Sequence, residues 1–173
     1  MSQSKADPSS PSKSNLPAAP PLVPHLTVGG GKTAIAFYER AFGAELVDHI
    51  ATPDSRTLHA VLRVPNGGVF FLNDDFSEWG PAASKTPKAA GGSPVTIHLE
   101  VPDADAAWKR AIEAGAESIM PLENTFWGTR YGVLQDPFGH RWSLQTKLRD
   151  VSPEELQEAA SKMFGAPCTA NRK

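Results

Sequence analysis

The chain has one cysteine in 173 residues, so no internal disulfide forms. Cys168 stands among small polar residues near the C-terminus with no neighbour that would activate its thiol, and a reducing compartment, the cytoplasm, is expected. No apolar run approaches the ~20 residues that cross a bilayer. The N-terminus lacks the apolar core of a secretory signal. Seventeen Lys and Arg stand against 19 Asp and Glu, for a formal net charge of -2, which leaves no global basic field and excludes nucleic acid and anionic membrane as partners. No serine or cysteine sits in a nucleophile motif, and Gly29-Gly30-Gly31-Lys32 lacks the spacing of a phosphate loop. That turn reads instead as a tight entry to a helix.

What the chain does have is one unit written twice. PHLTVGGGKTAIAFYERAFGAE begins at Pro24, and IHLEVPDADAAWKRAIEAGAE begins at Ile97. Each opens on a short apolar strand with His-Leu-x-Val, passes a polar turn, runs through an amphipathic helix and stops at Gly-Ala-Glu. The period of about 70 residues is too long for a solenoid and fits two copies of one small module related by a pseudo-twofold axis. The cleft between them is the natural binding site.

Periodicity and turn residues give the elements. In module one, residues 22–28 read as a strand and 32–42 as a helix ended by Gly43, with strands over 45–51, 57–64 and 69–73. Pro65-Asn66-Gly67-Gly68 joins the last two as a hairpin. Module two repeats the order: strand 94–101, helix 103–114 capped by Asp103, a short strand over 117–120, and strands over 130–135 and 140–146 flanking the turn Asp136-Pro137-Phe138-Gly139. The fold class is α+β: two tandem β-α-β-β-β modules around a concave mixed-sheet cleft, followed by a C-terminal helix. The expected organisation is a disordered Ser/Pro-rich extension over 1–21, a domain over 22–147 (module one 22–73, linker 74–93, module two 94–147) and a helix and tail over 148–173. Ser152 caps that helix, with Pro153 in its first turn. In the linker, Phe76 and Trp79 are either a cover for a ligand or aromatics pinned to the surface.

Two such modules, FYERAFGAE at the end of the first helix and WGTRYGVLQDPFGHRWSLQT in the second module, resemble the vicinal oxygen chelate superfamily, the group of glyoxalase I, bleomycin-resistance proteins and extradiol dioxygenases. The glycine turn after the first strand, the Phe-Trp-Gly-x-Arg-Tyr-Gly run, DPFGHRW and DVSPEEL are most similar to its PhnB-like subgroup. The resemblance covers about residues 22–164. It implies a small-molecule ligand and a homodimer, and it leaves the reaction open, because the scaffold hosts isomerases, dioxygenases and sequestering proteins alike.

Metal-dependent members of the family place His or Glu on the first and last strands of each module. Counted by strand register, those positions fall here at Val23, Thr96, Phe71 and Ser143, none of them a suitable ligand. In the rival reading a divalent metal binds through His25 and His98 with Glu100 as the acid. No cofactor is assigned. The expected catalytic residues are His25, His98 and Arg130; His59, Phe71, Trp127 and Tyr131 are expected to line the ligand site. A guanidinium beside two aromatics suits a flat ligand with an anionic or carbonyl edge. In a second reading Trp127 and Arg130 lock the loop 122–128 onto the sheet, and the histidines are polar lining. His140 is expected to fix the turn before it, and Trp142 to fill the core. Two functions follow, an isomerase, lyase or dioxygenase of the glyoxalase kind and a non-catalytic protein that sequesters a drug, toxin or metabolite. A scaffold acting through its terminal helix and tails ranks third.

Overall fold

The computed structural model describes residues 20–80 and 83–165, so the N-terminal extension, apart from its last two residues, and Cys168 lie outside the described part. Module one runs β1 (His25–Val28), α1 (Gly31–Phe42), β2 (Glu45–Ala51), β3 (Thr57–Arg63) and β4 (Val69–Asp74). Module two runs β5 (Thr96–Glu100), α2 (Ala104–Ala114), β6 (Glu117–Asn124), β7 (Thr129–Gln135) and β8 (Arg141–Lys147), and α3 (Pro153–Phe164) follows. Each module makes one four-stranded mixed sheet, in the orders β1-β4-β3-β2 and β5-β8-β7-β6, as the α+β reading requires. In each, the first and last strands pair in parallel and the others antiparallel.

Alternation explains the layering. Along β4, Phe70, Leu72 and Asp74 are buried while Val69, Phe71 and Asn73 are only half-buried, and β3 buries Ala60 and Leu62 in the same way. One face of each sheet therefore packs on helices and the other stays open. The buried faces of both sheets meet in a single core that includes Leu62, Phe70 and Leu72 from module one and Leu134, Trp142 and Leu144 from module two. Phe70 and Trp142 are in edge contact across the modules, with centroids 5.4 Å apart. The helices α1 and α2 lie against each other, and α2 buries only alanines, Ala104, Ala107 and Ala111, which permits a close approach.

Two carboxylates hold this arrangement. Asp74 accepts from the backbone N–H groups of Gly30 (2.8 Å) and Gly31 (2.7 Å) and from that of Thr57 (2.7 Å). The N-terminal donors of α1, which a phosphate would otherwise seek, are thus satisfied from β4. Asp136, 4% exposed, accepts from Tyr38 Oη (2.7 Å) and Trp142 Nε1 (2.8 Å) on one oxygen and from the N–H groups of Phe138 and His140 (both 2.9 Å) on the other. Burial, and then the Asp136 charge, push the Tyr38 hydroxyl well above its ordinary pKa, so it remains a donor. Each module also grips the other by its hairpin. His140 Nε2 lies 3.0 Å from Thr27 O, and Asn66 donates to Glu100 O.

Two readings change, and one left open is narrowed. Both β1 and β5 start later than expected, at His25 and Thr96, after Pro24 and Pro94. The strand expected to stop at Met120 continues through Pro121 to Asn124. It does so because β6 is an edge strand, where a missing donor is tolerated, and because register shifts on both sides of Met120 absorb the irregularity. The first three residues of the expected loop 122–128 are consequently strand. In the linker, Phe76 is pinned rather than mobile: it is 4% exposed, stacked on Trp79 at 4.3 Å and capped by the Arg56 guanidinium at 4.4 Å. No helix among the described residues is long and apolar enough to cross a membrane.

Candidate functional site

The open face of each sheet carries a histidine–aromatic cluster, and the two clusters occupy equivalent positions. On module one the rung His25–Phe71–Val61 crosses β1, β4 and β3; on module two the rung His98–Ser143–Val133 crosses β5, β8 and β7. Two residues before each valine stand His59 and Tyr131. The pseudo-twofold therefore relates His25 to His98, Phe71 to Ser143, and His59 to Tyr131.

In the first cluster, His25, His59 and Phe71 meet edge to face, with centroids 5.7 Å, 5.8 Å and 4.8 Å apart. Burial, and then repulsion from His59, hold His25 below its ordinary pKa of 6.5. His25 is therefore neutral near pH 7. Ile50, 48% exposed and directly opposite His59, extends this surface.

In the second cluster, His98 bridges two neighbours: Nδ1 is 2.8 Å from Ser143 Oγ and Nε2 is 3.1 Å from Glu100 Oε1. A carboxylate only accepts, so in the neutral ring Nε2 carries the proton and Nδ1 accepts from the serine hydroxyl. Tyr131 stacks near His98 at 6.3 Å, and Trp127 meets Tyr131 edge-on at 5.8 Å. The line Ser143–His98–Glu100 has the order of a charge relay, but Ser143 is only 2% exposed, and the N–H groups beside it are engaged in the β-ladder. No oxyanion hole adjoins it, and acyl transfer has no support here.

Of the seven expected site residues, the structure places His25, His59 and Phe71 together and His98, Trp127 and Tyr131 together. Arg130 joins neither group. Strand alternation turns it to the helix side of β7 with Gly132 and Leu134. There it makes a two-pronged contact with Asp105 in the first turn of α2 (Nη2–Oδ1 2.8 Å, Nε–Oδ2 3.1 Å) and reaches Asn124 Oδ1 at 3.3 Å. Its hydrogen bonds hold the Asp105 carboxyl below the usual range, and the pairing raises Arg130 in return. Arg130 ties β7 to α2, and the flat guanidinium clamp imagined from the sequence is not built. On the same side Trp108 covers Gly132, where an added Cβ would come within 2.7 Å of the indole.

The metal positions can be read from the same registers. Phe71 and Ser143 stand directly opposite His25 and His98, with no carboxylate at either place. Val23 precedes β1, and Thr96 opens β5 beside Arg141. Among the described residues no three His, Cys, Asp or Glu side chains gather as one donor set. The described residues of one chain do not present the three or more ligands that a catalytic divalent ion requires.

No hydrogen bond, ion pair or ring contact among the described residues joins the two clusters. Their side chains remain accessible: that of His98 is 43% exposed, and Trp127 is 38% exposed. The sequence reading set Glu100 beside His98 as a reserve metal ligand, and it missed Gln145, which donates to the same carboxylate. No local signal marks Gln145, whose place beside Glu100 is set by the pairing of β5 with β8.

A family model of the Glyoxalase/Bleomycin resistance protein/Dioxygenase superfamily matches residues 22–144. An uncharacterized protein of Mycobacterium bovis is 47% identical over 142 residues, which is 82% of this chain and 93% of that one. The crystal structure of TioX from Micromonospora sp. ML1 aligns with a TM-score of 0.57 at 26% identity, covering 73% of this chain and 98% of TioX. The PhnB protein from Bacillus cereus aligns with a TM-score of 0.56, covering 73% of this chain and 99% of its own, and at 18% identity this is a likeness of fold.

Proposed function

Because the chain belongs to the glyoxalase/bleomycin resistance protein/dioxygenase superfamily, we propose that it binds a small, flat organic molecule between its two histidine–aromatic clusters and holds it without metal-assisted turnover. The observation that carries this reading is the matched pair of rungs, His25–Phe71–Val61 and His98–Ser143–Val133, each with aromatic side chains left open to solvent. Aromatic faces and imidazoles supply stacking area and adjustable hydrogen bonds, the usual composition of a ligand pocket. Phe71 and Ser143, at the places where metal-dependent relatives carry acids, favour binding over isomerase or dioxygenase chemistry.

Among the described residues no hydrogen bond, ion pair or ring contact joins the clusters within one chain, and in this reading the cleft is assembled by a homodimer in which module one of one protomer faces module two of its partner. A C2 pair makes two identical clefts in this way. Mixing variants tests both parts of the reading. Phe71→Glu spoils the first face and Tyr131→Glu the second, so each variant alone should lose binding of the planar dye proflavine. Remixed after partial denaturation, the two variants should recover about a quarter of the wild-type sites, since half of randomly formed pairs contain one intact cleft. Loss in each variant without recovery on mixing places the cleft within one chain. One divalent ion per chain, released by His25→Ala or His98→Ala, would replace the binding reading with a metalloenzyme.

A further inference from the structure

The second cluster has a feature that fixes the charge of what it takes. Glu100, Gln145, Tyr131 and Glu123 lie on one rung across all four strands of the second sheet, in the order β5, β8, β7 and β6. On that rung an aromatic ring lies between two carboxylates, spread over three strand spacings, roughly 14 Å. Trp127 adds a second ring beside Tyr131.

Glu100 is held in position. His98 Nε2 (3.1 Å) and Gln145 Nε2 (2.7 Å) both donate to its Oε1, and Oε2 has no hydrogen-bond partner among the described residues. One oxygen anchors the carboxylate, and the other is presented to the open face. The cations nearest the sheet are placed elsewhere. Arg130 is turned to the helix side by Asp105, and Arg141 stands two rungs away beside Thr96. Lys147 pairs with Asp150. The opposite cluster contributes His25, neutral near pH 7, and His59, with Asp48 opposite Val61 on the same rung.

From this rung we infer that the ligand is a planar organic cation bearing N–H donors, an aminoheteroaromatic or amidinium-like molecule that lies over Tyr131 and Trp127 and hydrogen-bonds Glu100 Oε2. The cation–π attraction of two exposed rings and the charge-assisted bond to a pre-positioned carboxylate act in the same direction. The inference reverses the anionic preference that Arg130 would have given. It rests on the binding reading above, and the test separates the two.

Binding of proflavine, a three-ring diamino cation, is compared by isothermal titration with that of anthracene-2-carboxylate, which has the same ring frame and a negative charge. Wild-type protein should bind proflavine at least about tenfold tighter. Glu100→Gln should lower proflavine affinity about tenfold and leave the anthracene acid unchanged or tighter. Adding Glu123→Gln should remove the remaining preference, and Trp127→Ala should weaken both probes together. A tighter anthracene acid, or a preference that survives in the double variant, overturns the cation assignment while leaving the binding reading standing. Absence of binding by either probe overturns both.

Discussion

Replacing Asp136 with Asn tests the joint between the modules while changing almost no volume. The carboxylate takes four hydrogen bonds, two on each oxygen, and all four partners are donors: Tyr38 Oη, Trp142 Nε1 and the N–H groups of Phe138 and His140. An asparagine can satisfy only one pair. Whichever way the amide is set, its NH2 faces two donors, either the buried Tyr38 and Trp142 or the part-buried N–H groups of Phe138 and His140. A buried donor left unsatisfied costs about 1–3 kcal/mol, so the variant should lose about 3–5 kcal/mol. For a domain of this size that corresponds to a fall in Tm of about 10 °C or more. Urea unfolding followed by far-UV circular dichroism and by tryptophan fluorescence measures it, since the fully buried Trp142 reports on the joint. Tyr38→Phe removes a single donor and leaves Trp142 on the same oxygen, so it should cost about 1–2 kcal/mol. In the Asp136→Asn background the same change should cost less, because the acceptor is already impaired. An Asp136→Asn protein within about 1 kcal/mol of wild type would refute the claim that this carboxylate is the buried acceptor uniting the halves.

Other consequences can be measured with the same methods. Gly31→Ala drives a Cβ into the Thr57 side chain and should cost about 2 kcal/mol or more, whereas Gly29→Ala, with nothing within 4 Å, should stay within about 1 kcal/mol of wild type. His25 is held below 6.5 in the folded chain, so its contribution to stability is present above pH 6.5 and is lost as pH falls through the folded value. Tm measured from pH 7 to pH 5 should therefore decline less steeply in His25→Gln than in wild type; parallel curves would contradict the perturbation. Arg130→Ala should lower Tm only slightly and leave proflavine affinity unchanged, while Tyr131→Ala should abolish that affinity; a large binding loss in Arg130→Ala would return that residue to the site.

The parts of the fold that could be read from the sequence were those set by local rules. The hairpin at Asn66-Gly67, the αL stop at Gly43 and the caps at Asp103 and Ser152 each depend on a few adjacent residues, and each stands where its chemistry requires. Two features were not legible because they depend on residues far apart. Asp74 and Asp136 looked like a linker residue and a turn residue. Their partners lie 43 and 98 positions away at Gly31 and Tyr38, and no local pattern announces such a bond. Arg130 was misplaced for a subtler reason. It is adjacent to Tyr131, and adjacency in a strand puts two side chains on opposite faces. Reading Trp127, Arg130 and Tyr131 as one group ignored that alternation. The same rule did put Glu100 on the face of His98, whereas the rung from His25 through Phe71 depends on strand pairing across 46 residues.

The single core shared by both modules also bears on cooperativity. Because Phe70, Trp142, Tyr38 and Asp136 clamp the halves together, the chain forms one rigid spacer with a histidine–aromatic face on either module. In the proposed pair, both clefts lie between the same two rigid bodies. Any shift of one protomer that narrows one cleft about the twofold axis narrows the other equally, so the first ligand bears the cost of the adjustment for both. Occupancy of two such sites would rise more steeply with concentration than independent binding allows.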